Sequence, residues 1–279
     1  PMYQGIEKLW KRAVEANSAA IGELVKREVN LLPGPVDPTP AQRAALSAKP
    51  VSHRSETFDQ LLGRTRRMLC DLAKAHAVAV AMGSGTLAND IVGGQVAQIP
   101  GRGLVLCNGE FGHRLKDHAA RLNLKFDTVE IPWGTAFPVS EIRKVLADGK
   151  PKTWLWAVHA ETSTGVLNDL DMLKELSREF NLQLCLDCVS SLGVVKCDLG
   201  GVALASGVSG KGLRSMAGLA LVFHNGNLPE PMRPLPRYLD LRMYTSNGGP
   251  FTIPSNLVAA LSGSLETLAY APRAFLIGV

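Results

Sequence analysis

A three-layer α/β fold, with a mainly parallel central sheet between two layers of helices, is predicted by two features of the sequence. Short apolar runs recur along most of the chain, and stretches with apolar residues at helical spacing fill most of the gaps between them. A third feature, 46% hydrophobic residues in a chain of 279, supplies enough apolar side chains for a large core. A sheet of this kind is covered on both faces and offers its ligand sites at the carboxyl ends of its strands.

Residues 6–28 carry Ile6, Leu9, Trp10, Val14, Ile21, Leu24 and Val25 at helical spacing, which predicts an amphipathic arm within residues 1–31. Leu32–Pro40 holds four prolines, which remove donors and fix backbone angles, so this stretch is expected to be an extended connection into the main domain. A helix is expected over 56–75. Strands follow at 77–82, 103–107, 125–130, 154–158, 183–187, 203–207 and 219–223, with helices at about 86–98, 112–122, 139–148 and 169–180.

The N-terminus lacks the apolar core of a signal peptide, and no apolar run approaches the roughly 18 residues of a membrane span, so the expectation is a cytoplasmic protein with no membrane partner. The formal charge is +5, yet the basic residues are scattered. The densest group, Arg64, Arg66 and Arg67, fits a solvated helix face, so no nucleic-acid partner is expected, while anionic small molecules suit such a surface. Five cysteines, Cys70, Cys107, Cys185, Cys188 and Cys197, make no disulfide framework. Cys185 and Cys188 spell C-x-x-C, but in a strand and its exit such residues face opposite ways, so they read as small buried hydrophobes and no metal site is expected.

The chemistry-bearing segments lie at predicted strand ends. Met82-Gly-Ser84-Gly85-Thr86 precedes a helix, where small residues let backbone N–H groups approach a phosphate. Gly83, Gly85 and Ala88 also fit the dinucleotide fingerprint G-x-G-x-x-A, with Glu110 at about the right distance to bind a ribose. Phe111 follows the next strand and could stack on a flat ring. His159-Ala-Glu161-Thr162-Ser-Thr-Gly165 and Asp187-Cys-Val189-Ser-Ser-Leu-Gly193 put dense polar runs after apolar ones. Lys211 stands in a Ser/Gly loop 24 residues after Asp187. A lysine that can hold an aldehyde as a Schiff base and a carboxylate that keeps a pyridine ring protonated are what pyridoxal phosphate chemistry requires. A dinucleotide enzyme has no need for this series or for the lysine.

Taken in chain order, these motifs resemble the class V aminotransferases of pyridoxal-phosphate fold type I, over about Leu32 to Leu261. The likeness is strongest to the branch with alanine-glyoxylate, serine-pyruvate and 2-aminoethylphosphonate-pyruvate transaminases. It implies a homodimer with pyridoxal 5'-phosphate as cofactor, acting on a small amino donor and a 2-oxo acid. It also implies Lys211 as Schiff-base lysine and proton carrier, Asp187 on the pyridine nitrogen, Phe111 and Val189 on the two ring faces, and Thr162 on the phenolic oxygen. The phosphate would be held by Ser84, Gly85, Thr86 and Ser209, with Thr252 reaching across from a second subunit. His159 and Glu161 match family residues near the site without a separable role.

Departures from the pattern are Gly210 where the family often has Gln, and Met216-Ala217-Gly218 where Pro-Pro-Gly is common. The family's C-terminal small domain, with the arginine that grips the substrate carboxylate, is expected to be absent or truncated, since Arg273 does not match its context. Cysteine desulfurase-like lyases are the nearest alternative, but they place His at the Phe111 position and Ala-Gln at Cys188-Val189. A noncatalytic remnant of the fold is the other alternative.

Overall fold

The computed structural model describes residues 32–228, 230–244 and 251–270. The chain divides into two compact units, Pro1–Leu32 and Pro33–Val279, and every element below belongs to the second. The expected arm over 1–31 lies outside the described residues, as does Arg273.

Seven strands form one sheet: β1 (Ala77–Met82), β2 (Arg102–Cys107), β3 (Phe126–Glu130), β4 (Lys152–Val158), β7 (Gln183–Asp187), β8 (Leu204–Val208) and β9 (Leu219–His224). Their spatial order is β1-β9-β8-β7-β4-β2-β3. All strands are parallel except β9, which runs antiparallel to both β1 and β8. The reason is in the connection: residues 209–218 are too few for the dozen or more that a parallel crossover needs, so the chain must turn back. A two-stranded hairpin, β5 (Ala160–Glu161) with β6 (Val166–Leu167), was not legible as strand because each strand is only two residues long.

Alternation along the strands sends residues to two cores. Val78, Val80, Leu104 and Leu106 face one, with helices α2 (Glu56–Ala73), α5 (Val139–Leu146), α6 (Leu170–Glu179) and α7 (Ser255–Tyr270) covering it. Ala79, Ala81, Val105 and Cys107 face the other, beneath α3 (Gly85–Val96) and α4 (Glu110–Arg121). The three layers expected from the sequence are thus present, and every predicted strand is found within two residues of its expected ends. No helix among the described residues is long and apolar enough to cross a membrane.

Two helices differ from expectation. The extended connection ends one residue early, because Pro40 opens helix α1 (Pro40–Ser47), with Thr39 and Gln42 forming a reciprocal cap at its start. Helix α7 runs through position 261, where the sequence suggested a domain boundary, and packs on α1 and α2. Asn256 fixes the junction: its Nδ2 donates to the carbonyls of Leu46 at 2.9 Å and Ala48 at 2.6 Å, which the end of α1 leaves unpaired. These contacts are between segments about 210 residues apart, and local periodicity carries no sign of them.

The sheet topology gathers the chemistry-bearing segments. The exits of β1, β2, β4 and β7 share the carboxyl edge. Because β8 runs parallel to β7, the loop that leaves its end and carries Lys211 toward β9 lies at that edge too.

Candidate active site

Asp187 ends β7 and is 6% exposed. Its Oδ2 accepts from Asn89 Nδ2 at 2.8 Å, and its Oδ1 accepts from the Val189 backbone N–H at 2.9 Å. Burial pushes the carboxyl above its usual range, against the pull of those two donors and of Lys211. Asn89, on the second turn of α3, was missed in the sequence; the signal was a polar residue inside the otherwise apolar face made by Ala88, Ile91 and Val92. Its own Oδ1 is buried with no hydrogen-bond partner.

Lys211 is half-buried, and its Nζ donates to Ser190 Oγ at 3.0 Å. The same nitrogen is 5.4 Å from the centroid of the Phe111 ring. Burial lowers the pKa of this amine, Asp187 raises it, and Arg114 lowers it again. Phe111, Lys211, Ser190 and Asp187 are therefore brought together from three strand ends. Ser209 is fully buried; it donates to the Met216 carbonyl at 2.6 Å and accepts from the Leu219 N–H at 3.2 Å, tying the ends of the lysine loop.

A second contact to the loop comes from the proline-rich stretch. A Cβ on Gly34 would sit 2.6 Å from Lys211 Cγ and 2.8 Å from the Gly210 carbonyl oxygen, so the segment read as a connection lies against the lysine. Nothing in its sequence announces this, because the approach is by backbone.

Ser84, Gly85 and Thr86 form the turn from β1 into α3, with Ser84 and Thr86 exposed. Ser84 makes no side-chain cap, so the first N–H groups of α3 keep their donors directed outward from the helix start. A Cβ on Gly85 would come within 2.9 Å of both Val189 methyl groups, which places the β1 and β7 exits in contact. Thr162 is partly buried in the turn after β5, and Thr252 is exposed. Glu110, the ribose-binding candidate of the dinucleotide reading, instead pairs with Arg114 one turn along α4 at 3.0 Å.

Glu161 has a definite place. It is 0% exposed, its Oε2 accepts from the Gly112 N–H at 3.0 Å, and its Oε1 accepts from the Ser163 hydroxyl at 2.5 Å. Ser163 Oγ in turn accepts from the Glu110 N–H at 3.0 Å. The pair caps α4 from outside the helix and so fixes the turn that carries Phe111. Glu161→Ala is expected to cost about 1–3 kcal/mol by stranding a buried donor, and to weaken ring binding through a displaced Phe111. Denaturant unfolding together with a pyridoxal phosphate titration checks it, and a variant unchanged in both would remove Glu161 from this role.

His159 is 2% exposed, and its Nδ1 has no hydrogen-bond partner. Beside it, Cys188 and Cys197 interact: the hydrogen bond between the two sulfurs lowers the Cys197 thiol and raises that of Cys188. Cys185 stands apart on the other face of the sheet, as the alternation argument required, but Cys188 is not an isolated hydrophobe.

The site can be set beside known proteins. No protein-family profile matches the chain. It is 30% identical over 254 residues to a soluble hydrogenase small subunit from Synechococcus sp., covering 85% of this chain and 65% of that protein. It is 28% identical to a 2-aminoethylphosphonate–pyruvate transaminase from Pseudomonas putida, covering 85% of this chain and 67% of the relative. The chain thus spans about two thirds of the length of these relatives. Among solved structures, an alanine–glyoxylate aminotransferase from Nostoc sp. superposes with a TM-score of 0.81 at 29% identity, over 89% of this chain and 72% of the other. An aspartate aminotransferase of subgroup IV from Thermus thermophilus does so with a TM-score of 0.76 at 30% identity, over 84% of this chain and 69% of the other. With the sheet order, the lysine loop and the buried aspartate in place, these likenesses settle the family: the chain belongs to the class V aminotransferases, a pyridoxal-phosphate-dependent family of fold type I.

Proposed function

We propose that this chain forms the cofactor-binding part of an aminotransferase that moves an amino group from a small donor to a 2-oxo acid such as glyoxylate or pyruvate. Donors of the alanine and 2-aminoethylphosphonate type fit the names of the relatives, and a serine-type donor belongs to the same reading. One observation carries the reading: a half-buried lysine amine stands 5.4 Å from an aromatic ring centroid, beside a buried carboxylate with two donors already on its oxygens.

The residues fit the cofactor. Asp187 would meet the pyridine nitrogen, where a ring cation relieves the cost of its burial. Phe111 and Val189 would lie against the ring, and Thr162 would meet its phenolic oxygen. Ser84, Gly85 and Thr86 would receive the phosphate at the α3 N-terminus. Ser209 would contribute by holding the loop. When bound, pyridoxal phosphate supplies an aldehyde for the amino group and a ring that accepts the electron pair released at the donor α-carbon. Lys211 would hold that aldehyde, and its Nζ would take the donor's α-proton and return it. Burial favours the neutral amine that this step needs, and Ser190 orients it.

A homodimer belongs to the same reading, with exposed Thr252 reaching the phosphate of the neighbouring subunit, as does a cytoplasmic location. The test is spectroscopic. Protein loaded with pyridoxal phosphate is expected to absorb in the visible, to lose that band on addition of alanine, serine or 2-aminoethylphosphonate, and to recover it with glyoxylate or pyruvate. Light scattering on the same sample is expected to give twice the chain mass. A band indifferent to all three donors would refute transamination on them, and a single-chain mass would refute the dimer.

A further inference from the structure

We propose that His159, Cys188 and Cys197 form a binding site for a borderline-soft divalent cation, best matched by zinc(II), with a fourth position open toward a neighbouring cavity. The candidate ligand atoms of the three residues all lie within 4.8 Å of one another, and all three residues are buried. They come from separate places, the β4 exit, the β7 exit and the segment before β8, so only the fold assembles them.

The geometry is close to what zinc takes. Bonds of about 2.3 Å to sulfur and about 2.0 Å to imidazole nitrogen, in tetrahedral arrangement, put two thiolate sulfurs roughly 3.8 Å apart. The present trio, with its ligand atoms all within 4.8 Å of one another, lies near that spacing. Two thiolates with one imidazole are a known zinc donor set for sites that keep one position for water, and their charge cancels that of the ion, which a buried site requires.

Two further observations point to a ligand. His159 Nδ1 is buried without a hydrogen-bond partner, and the Ser191 hydroxyl in the turn after Cys188 lies against both sulfurs. A buried ring nitrogen left unpaired beside two thiols calls for a missing partner. The His159 backbone is anchored on both sides, its N–H donating to the Asp187 carbonyl at 2.9 Å and its carbonyl accepting from the Asn168 N–H at 2.8 Å. Of the three residues, His159 also lines a cavity of about 280 Å³ with Asn168, Asp169, Asp171, Lys196 and Asp198, a rim in which carboxylates outnumber the one lysine.

The site lies next to the cofactor residues without being one of them. Cys188 follows Asp187 directly, so an ion there would bind the β7 exit to the β4 exit and to the segment around Cys197. Its expected effect is on the rigidity of the Asp187 turn, and it does not depend on transamination being the reaction.

The test uses the chain purified under reductant, given zinc alone and then gel-filtered. One zinc per chain is expected, with a rise in melting temperature. Cobalt(II) in its place is expected to give thiolate charge-transfer absorption and bands in the red, away from the cofactor. Cys197→Ser and His159→Ala should each weaken retention about tenfold or more, while Cys185→Ser, on the opposite face, retains the ion. Should a ligand variant fail to fold, the cobalt spectrum of the unaltered chain decides by itself. The proposal is overturned by a cobalt spectrum without thiolate charge transfer, by equal zinc retention in Cys197→Ser, or by sulfurs that join as a disulfide under mild hydrogen peroxide with zinc present. None of these outcomes bears on the donor-dependent colour change, so the two readings fail separately.

Discussion

Lys211→Ala is expected to lower amino transfer on the order of 10³-fold or more, because it removes both the nucleophile that holds the cofactor and the group that carries the proton. The fold has little reason to suffer. The side chain is only half-buried, its amine donates to Ser190, and truncation relieves the burial that already lowers its pKa. The variant should therefore melt near the temperature of the unaltered chain, and borohydride should fix cofactor to the unaltered chain alone. Residual binding through the phosphate turn and Asp187 is expected to persist in weakened form. A variant that is still labelled by borohydride would place the anchoring amine elsewhere and end the assignment of Lys211.

Asp187→Asn is expected to separate function from stability. Transfer should fall by roughly 10²-fold or more, since a neutral amide cannot hold a proton on the pyridine nitrogen. Without cofactor the variant should nevertheless be the more stable form at neutral pH. Burial holds the folded carboxyl above its ordinary value of 3.8. A group raised in this way stabilises the fold fully below that ordinary value, and the contribution is lost as pH rises through the folded value. Melting temperatures of the two cofactor-free forms should converge in acid and diverge toward neutral pH. The new amide can be accommodated locally: Asn89 Oδ1 is unpartnered, so a flip of the Asn89 amide turns a donor toward Asp187 into an acceptor for the substituted side chain. Added pyridoxal phosphate should reverse the order by stabilising the unaltered chain. If the cofactor-free variant melts lower at every pH, the carboxylate is well solvated and the argument from burial is wrong.

The strands were legible because each is an apolar run of the length a buried strand needs, bounded by polar or glycine-rich turns. The lysine, the aspartate and the glycine turn were legible because their chemistry demands particular residue types at strand ends. Asn89 and Gly34 were not. One acts as a second layer behind a carboxylate, and the other approaches by its backbone, where no side chain marks the role. Glu161 was seen as a candidate without a role, and the bond to the Gly112 N–H gives it one. Ser209 shows the opposite case, a residue whose position suggested an anion contact and whose hydroxyl is spent on the loop itself.

By itself the sequence determined the layer architecture, the strand ends and the residues that bear the chemistry, because periodicity and local composition are properties of neighbours along the chain. The tertiary structure decided what those residues face. The parallel setting of β8 beside β7 brings the lysine loop to the carboxyl edge, α7 closes over α1 across about 210 residues, and His159 meets two cysteines 29 and 38 positions later in the chain. Such meetings are set by the packing of elements in space, which separations along the chain do not encode.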